Sequence, residues 1–177
     1  FACVYDLPVM IHSNITAPWV SDYPKFLHEI ETTLREYPKA RVILAHCWAS
    51  RRLNTPYYTK LIERLLSEYP CLYVDYSWVV FDEIITATNT SFEEWVELTE
   101  KFPDRVMIWS DVLGKWFADI WYINSRYNKF LDALTEKTRD KVCMKNAIKL
   151  FSKSKNRVEK WLKRKIYSLK DIKKDEI

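Results

Sequence analysis

The sequence predicts an α/β fold on a parallel sheet, and three observations predict it. A helix–turn–strand unit recurs at prolines 38, 70 and 103, which lie 32 and 33 residues apart. The strand segments are continuously apolar instead of alternating, as in strands covered on both faces. A polar side chain closes each of them, which is the rhythm of βα units. The chain has 177 residues, 48% of them apolar and 15% aromatic. That is enough for one domain with a sizeable core and excludes disorder as the main state.

Taken in order, Pro8-Val9-Met10-Ile11-His12 reads as the first strand. Phe26, Leu27, Ile30 and Leu34 then recur at helical spacing. That helix stops before Pro38, because proline lacks the amide hydrogen and pushes its predecessor toward extended geometry. The second strand covers residues 42–45 and ends at His46. Leu61, Ile62, Leu65 and Leu66 form the next helix, before Pro70, and residues 72–74 the third strand, followed by Asp75 and Ser77. Trp95, Val96, Leu98 and Phe102 precede Pro103, and residues 106–109 lead into Ser110-Asp111. Helices are expected from Ile120 to Leu134 and from Lys141 to Phe151. Four βα units and a closing helix make about half of a (β/α)8 barrel, which needs about 250 residues, or a small open sheet. Periodicity alone leaves both open.

Composition removes several functions. Gly114 is the single glycine, so neither a phosphate-cradling P-loop nor a dinucleotide fingerprint can be written. Cys3, Cys47, Cys71 and Cys143 contain no CxxC pair, which excludes metal knuckles and thioredoxin-type chemistry. Scattered single thiols suggest a reducing compartment and a cytoplasmic location. No run approaches the ~20 apolar residues of a membrane span.

In α/β folds, function collects where parallel strands end. His12, His46, Ser77 and Asp111 stand there. Imidazole and carboxylate are the usual donors to zinc and related ions, so His12, His46 and Asp111 are the candidate metal ligands. Asp111 is also placed to accept a proton. His28, inside a predicted helix, reads as a solvated surface residue.

These strand ends, together with Asn146-Ala147-Ile148-Lys149-Leu150-Phe151, resemble the amidohydrolase-related metal-dependent hydrolases over residues 8–151. The four strands are similar to strands five to eight of that TIM barrel, so the expected fold is the C-terminal half of a (β/α)8 barrel plus C-terminal helices. The resemblance implies hydrolysis of a C–N or C–O bond, or non-oxidative decarboxylation, with a divalent metal, usually zinc. It implies that His12 ligates metal and that His46 ligates a second metal or polarises substrate. Asp111 would bind metal and act as base, with Ser77 and Trp48 lining the substrate pocket. The chain departs from the family in having no His-x-His pair. Cys47-Trp48 replaces the glycine after the strand-six histidine, and Trp109 the one before Ser-Asp.

Four strands of a barrel expose two edges and an apolar inner face. The expected partners are therefore a small-molecule substrate and either an N-terminal half of the barrel or a second copy. The opening Phe1, in place of Met, favours the former. The alternative function is a non-catalytic half-barrel serving assembly. Residues 1–152 form the expected half-barrel domain. Residues 153–177, with ten Lys/Arg against four Asp/Glu, form an expected basic amphipathic helical tail. Beyond the tail's charge, no motif signals nucleic-acid or membrane binding.

Overall fold

In the computed structural model, residues 2–15, 26–49, 58–77, 80–111 and 120–152 are described. The expected tail, 153–177, lies outside the described residues. The elements are α1 (Ala2–Tyr5), β1 (Val9–Ile11), α2 (Leu27–Glu36), β2 (Val42–Leu44), α3 (Tyr58–Glu68), β3 (Leu72–Asp75), α4 (Asn89–Lys101) and β4 (Val106–Met107). Beyond them lie α5 (Ile120–Ser125), α6 (Asn128–Asp132), α7 (Glu136–Asp140) and a helical stretch over 146–152. The four strands form one parallel sheet in the order β1-β2-β3-β4. No helix among the described residues is long and apolar enough to cross a membrane.

Each proline makes the same turn. Ala40 N donates to Tyr37 O at 2.9 Å, Leu72 N to Tyr69 O at 3.0 Å, and Arg105 N to Phe102 O at 3.0 Å. Proline thus occupies the second position of a four-residue turn, where its fixed φ is already correct. The preceding aromatic closes its helix by donating four residues back: Tyr37 N to Thr33 O, Tyr69 N to Leu65 O, Phe102 N to Leu98 O. Arg105 ties two units together through Tyr69 O and Leu72 O, both at 3.1 Å. Arg41, at the matching place before β2, pairs with Asp6 at 2.8 Å and donates to Leu150 O.

Successive strand side chains alternate faces. Val42, Leu44, Leu72, Val74 and Val106 pack with Ile30, Leu34, Ile62, Leu65, Trp95 and Leu98 of the helices. Burying each large side chain contributes about 1.5–3 kcal/mol. On the opposite face, Ile43 and Met107 are covered by Leu150, with Tyr73 and Ala147 beside them. Part of the inner face expected to lie open is therefore covered from within the chain. Asn146 anchors that covering segment by donating from Nδ2 to Pro103 O at 2.8 Å and Val106 O at 2.7 Å. The edge strand β1 differs, since Met10 remains 44% exposed.

Two expectations are corrected. The helix predicted from Ile120 to Leu134 breaks between α5 and α6, where Tyr127 N donates three residues back to Asn124 O. The break turns Tyr127 into the core, with its hydroxyl donating to Trp109 O at 2.9 Å and its ring 4.2 Å from that of Phe81. The last strand stops at Met107 instead of Trp109, because Ile108 N donates to Val142 O.

Candidate functional site

Parallel register brings the strand ends to one rim. Ile11 pairs with Leu44, Leu44 with Val74, and Val74 with Val106. His12 follows the last residue of β1, His46 stands two residues past β2, Ser77 two past β3, and Asp111 four past β4. The His12 and His46 rings meet edge to face at 4.9 Å between centroids. His46 Nε2 lies 3.7 Å from Asp111 Oδ2. The other His46 nitrogen, Nδ1, is 2.8 Å from Ser77 Oγ. His28 is exposed on α2, away from this cluster.

The backbone beneath is unusual. His46, Cys47 and Trp48 have φ of 53°, 53° and 63°, and Asp111 has φ of 51°. The left-handed region costs a non-glycine residue about 1–2 kcal/mol because Cβ crowds the carbonyl oxygen. These conformations persist through the packing and hydrogen bonds around them. Cys47 and Trp48 are buried, and Trp48 O accepts from Ile15 N at 3.0 Å. Trp48, a candidate pocket residue in the sequence, is thereby a core side chain that braces the loop.

Below the imidazole is a buried carboxyl group. Asp75 Oδ1 accepts from His46 N at 3.2 Å and Ser77 N at 3.1 Å, and also from Ser77 Oγ. Burial pushes the Asp75 carboxyl above its ordinary range, against the lowering effect of the Ser77 and His46 bonds. The Cys47 thiol is raised well above its usual value by burial and by the nearby Asp75 charge, which excludes it as a ready nucleophile. Ser77 is 2% exposed, and its hydroxyl is packed against His46. The sequence sets Asp75 beside Ser77 but gives it no role. The Asp-x-Ser spacing at a strand end was the available signal.

The donors present meet part of what a zinc ion needs. Two ligands about 2.0–2.2 Å from a tetrahedral zinc stand about 3.3–3.6 Å apart, close to the His46–Asp111 spacing. Zinc sites take three or four protein donors, however. Among the described residues, no group of three or more His, Cys, Asp or Glu side chains is arranged to hold a metal ion. The described residues therefore supply only part of a metal site. Cavities of about 80 and 260 Å³ lie at the other end of the sheet, lined by Asp6, Arg41 and Tyr73 and by Leu34, Tyr37 and Tyr69 respectively. Neither includes His12, His46 or Asp111.

Comparison with known proteins gives the family and the fold. A family model described as amidohydrolase matches residues 1–153. An uncharacterized TIM-barrel protein from Bordetella bronchiseptica is similar at 15% identity, with a TM-score of 0.62, over 86% of this chain and 48% of that one. An amidohydrolase from Burkholderia multivorans, solved with bound zinc, is similar at 11% identity, with a TM-score of 0.55, over 85% of this chain and 54% of that one. The chain thus spans about half the length of the solved structures it matches. No curated protein sequence matches it.

Proposed function

The chain belongs to the amidohydrolase family, and from that premise we propose that it carries the C-terminal side of a metal-dependent hydrolase site. The substrate is a small molecule with a C–N or C–O bond to be cleaved, or a carboxylate to be lost without oxidation. The single observation that carries the proposal is His46 Nε2 and Asp111 Oδ2 facing each other at 3.7 Å on the rim that also holds His12. In hydrolysis, the Asp111 carboxylate accepts a proton from the attacking water as the new C–O bond forms. His46 Nε2 offers a lone pair that would help hold the cation on which the substrate's carbonyl is polarised. The C–N or C–O bond then breaks, and the proton held at Asp111 passes to the leaving group. A divalent metal would supply Lewis-acid polarisation, with further donors coming from the strands of a completed barrel.

Calorimetric titration of the 177-residue chain with zinc tests this proposal. Two or three donors predict weak binding at one site, weakened at least about tenfold by Asp111→Asn or His46→Gln, since each removes one of few ligands. Absence of zinc binding, or binding unchanged in both variants, overturns it.

A second reading is a non-catalytic half-barrel that serves assembly. Its support is the exposed Val9 and Met10 of the edge strand and the lack of a three-donor group among the described residues. It predicts an oligomer indifferent to chelators, and a monomer by light scattering contradicts it.

A further inference from the structure

We propose that Asp75 and Ser77 are positioning residues that hold His46 as its Nδ1–H tautomer, so that the Nε2 lone pair is presented at the rim beside Asp111. The direction of each hydrogen bond fixes the tautomer. Two of the donors to Asp75 Oδ1 are main-chain amides, those of His46 and Ser77, at 3.2 and 3.1 Å. An amide N–H can only donate, so Oδ1 is an acceptor. Ser77 Oγ bonds the same oxygen and has one proton, which must therefore point at Asp75. Ser77 can then offer His46 Nδ1, 2.8 Å away, nothing but a lone pair. Nδ1 must carry the hydrogen. In a neutral imidazole this makes Nε2 the acceptor, and Nε2 is the nitrogen that faces Asp111 Oδ2 at 3.7 Å.

The conclusion does not depend on the charge of Asp75. A proton on that carboxyl would sit on Oδ2, because two amide hydrogens already converge on Oδ1. Solvent does not compete either, since His46, Asp75 and Ser77 are all buried. The same Asp75 oxygen fixes the imidazole in space as well as in tautomer, because it holds the amide of His46 in its left-handed conformation. A lone pair and a carboxylate oxygen 3.7 Å apart leave a place for a cation between them. The use made of that lone pair rests on the proposed hydrolase reading, whereas the tautomer does not.

Imidazole nitrogen NMR on the ¹⁵N-labelled 177-residue chain tests the proposal. It is recorded at about pH 8, above the ordinary histidine pKa of about 6.5. His46 is assigned among the three histidines by the spectrum lost in His46→Gln. The expected result is a pyrrole-type Nδ1 and a pyridine-type Nε2, with the Nδ1–H form in excess by about tenfold or more, as a buried hydrogen bond confers. Ser77→Ala should bring the two forms toward equality. Asp75→Asn keeps an acceptor oxygen and should retain the wild-type pattern. A wild-type chain with mainly Nε2–H, or an unchanged pattern in Ser77→Ala, overturns the proposal. The wild-type spectrum decides even where the alanine variant fails to fold. Should zinc binding be absent while His46 is Nδ1–H, the hydrolase reading fails and this inference stands.

Discussion

The two ends of the sheet are built on opposite principles. At the N-terminal end, three proline turns repeat one hydrogen bond at 2.9–3.0 Å, and arginines at equivalent positions lace neighbouring units together. Residue type and conformation agree there. At the C-terminal end lie four of the five left-handed non-glycine residues among the described residues, together with buried His46, Asp75 and Ser77. There residue type and conformation conflict, and hydrogen bonds resolve the conflict. Strain concentrated beside buried titratable groups is what sets this end apart.

Substitutions can break this contrast. The largest effect is expected from Asp75→Ala, which leaves three buried donors without their acceptor and should cost about 2–4 kcal/mol in chemical denaturation. Asp75→Asn keeps the acceptor and should stay within about 1 kcal/mol of the parent chain. At the opposite end, Asn146→Ala removes two donated bonds and should cost about 1–3 kcal/mol. There the carbonyls of Pro103 and Val106 lose their partner. A loss in Asn146→Ala well beyond that of Asp75→Ala would reverse the contrast.

The pH dependence of stability sharpens it, because the two ends carry opposite signs. Asp75 has a raised folded-state pKa through burial. Its contribution is fully present below the unfolded value of about 3.9 and is lost as pH rises through the folded pKa. Asp104 is lowered by its bond to Lys141, and Glu100 by bonds from Thr138 and Thr135 that outweigh its burial. Their contributions are present above the unfolded values and are lost as pH falls through the folded ones. Denaturation midpoints measured from pH 3 to 7 should therefore gain a steeper acid-side loss in Asp75→Asn. The smallest effect is expected from Pro70→Ala, about 0.4–1 kcal/mol, through a more flexible unfolded chain.

Much of the N-terminal end was legible because its signals are local. An aromatic followed by proline ends a helix whatever surrounds it, and all three turns appear where Pro38, Pro70 and Pro103 place them. The apolar runs also gave the strands, although β4 is shorter once Val142 captures the amide of Ile108. The C-terminal end was legible only in outline. His12, His46, Ser77 and Asp111 were visible as strand-end residues, and the rim brings them near one another. Nothing about cysteine or tryptophan announces a positive φ, so the loop at His46–Trp48 was hidden. The role of Asp75 was hidden too, since it bonds an amide 29 residues away that only the strand register delivers. Leu150 covering Ile43 and Met107 is likewise a tertiary outcome that helical periodicity does not encode.

On the proposed reading, the facing imidazole and carboxylate of His46 and Asp111 would hold a cation on the rim. Anomalous diffraction at the zinc edge, from crystals of the 177-residue chain grown with zinc, tests it most directly. Zinc density within reach of both His46 Nε2 and Asp111 Oδ2 is the expected result. Zinc bound elsewhere, with no density between those two atoms, contradicts it.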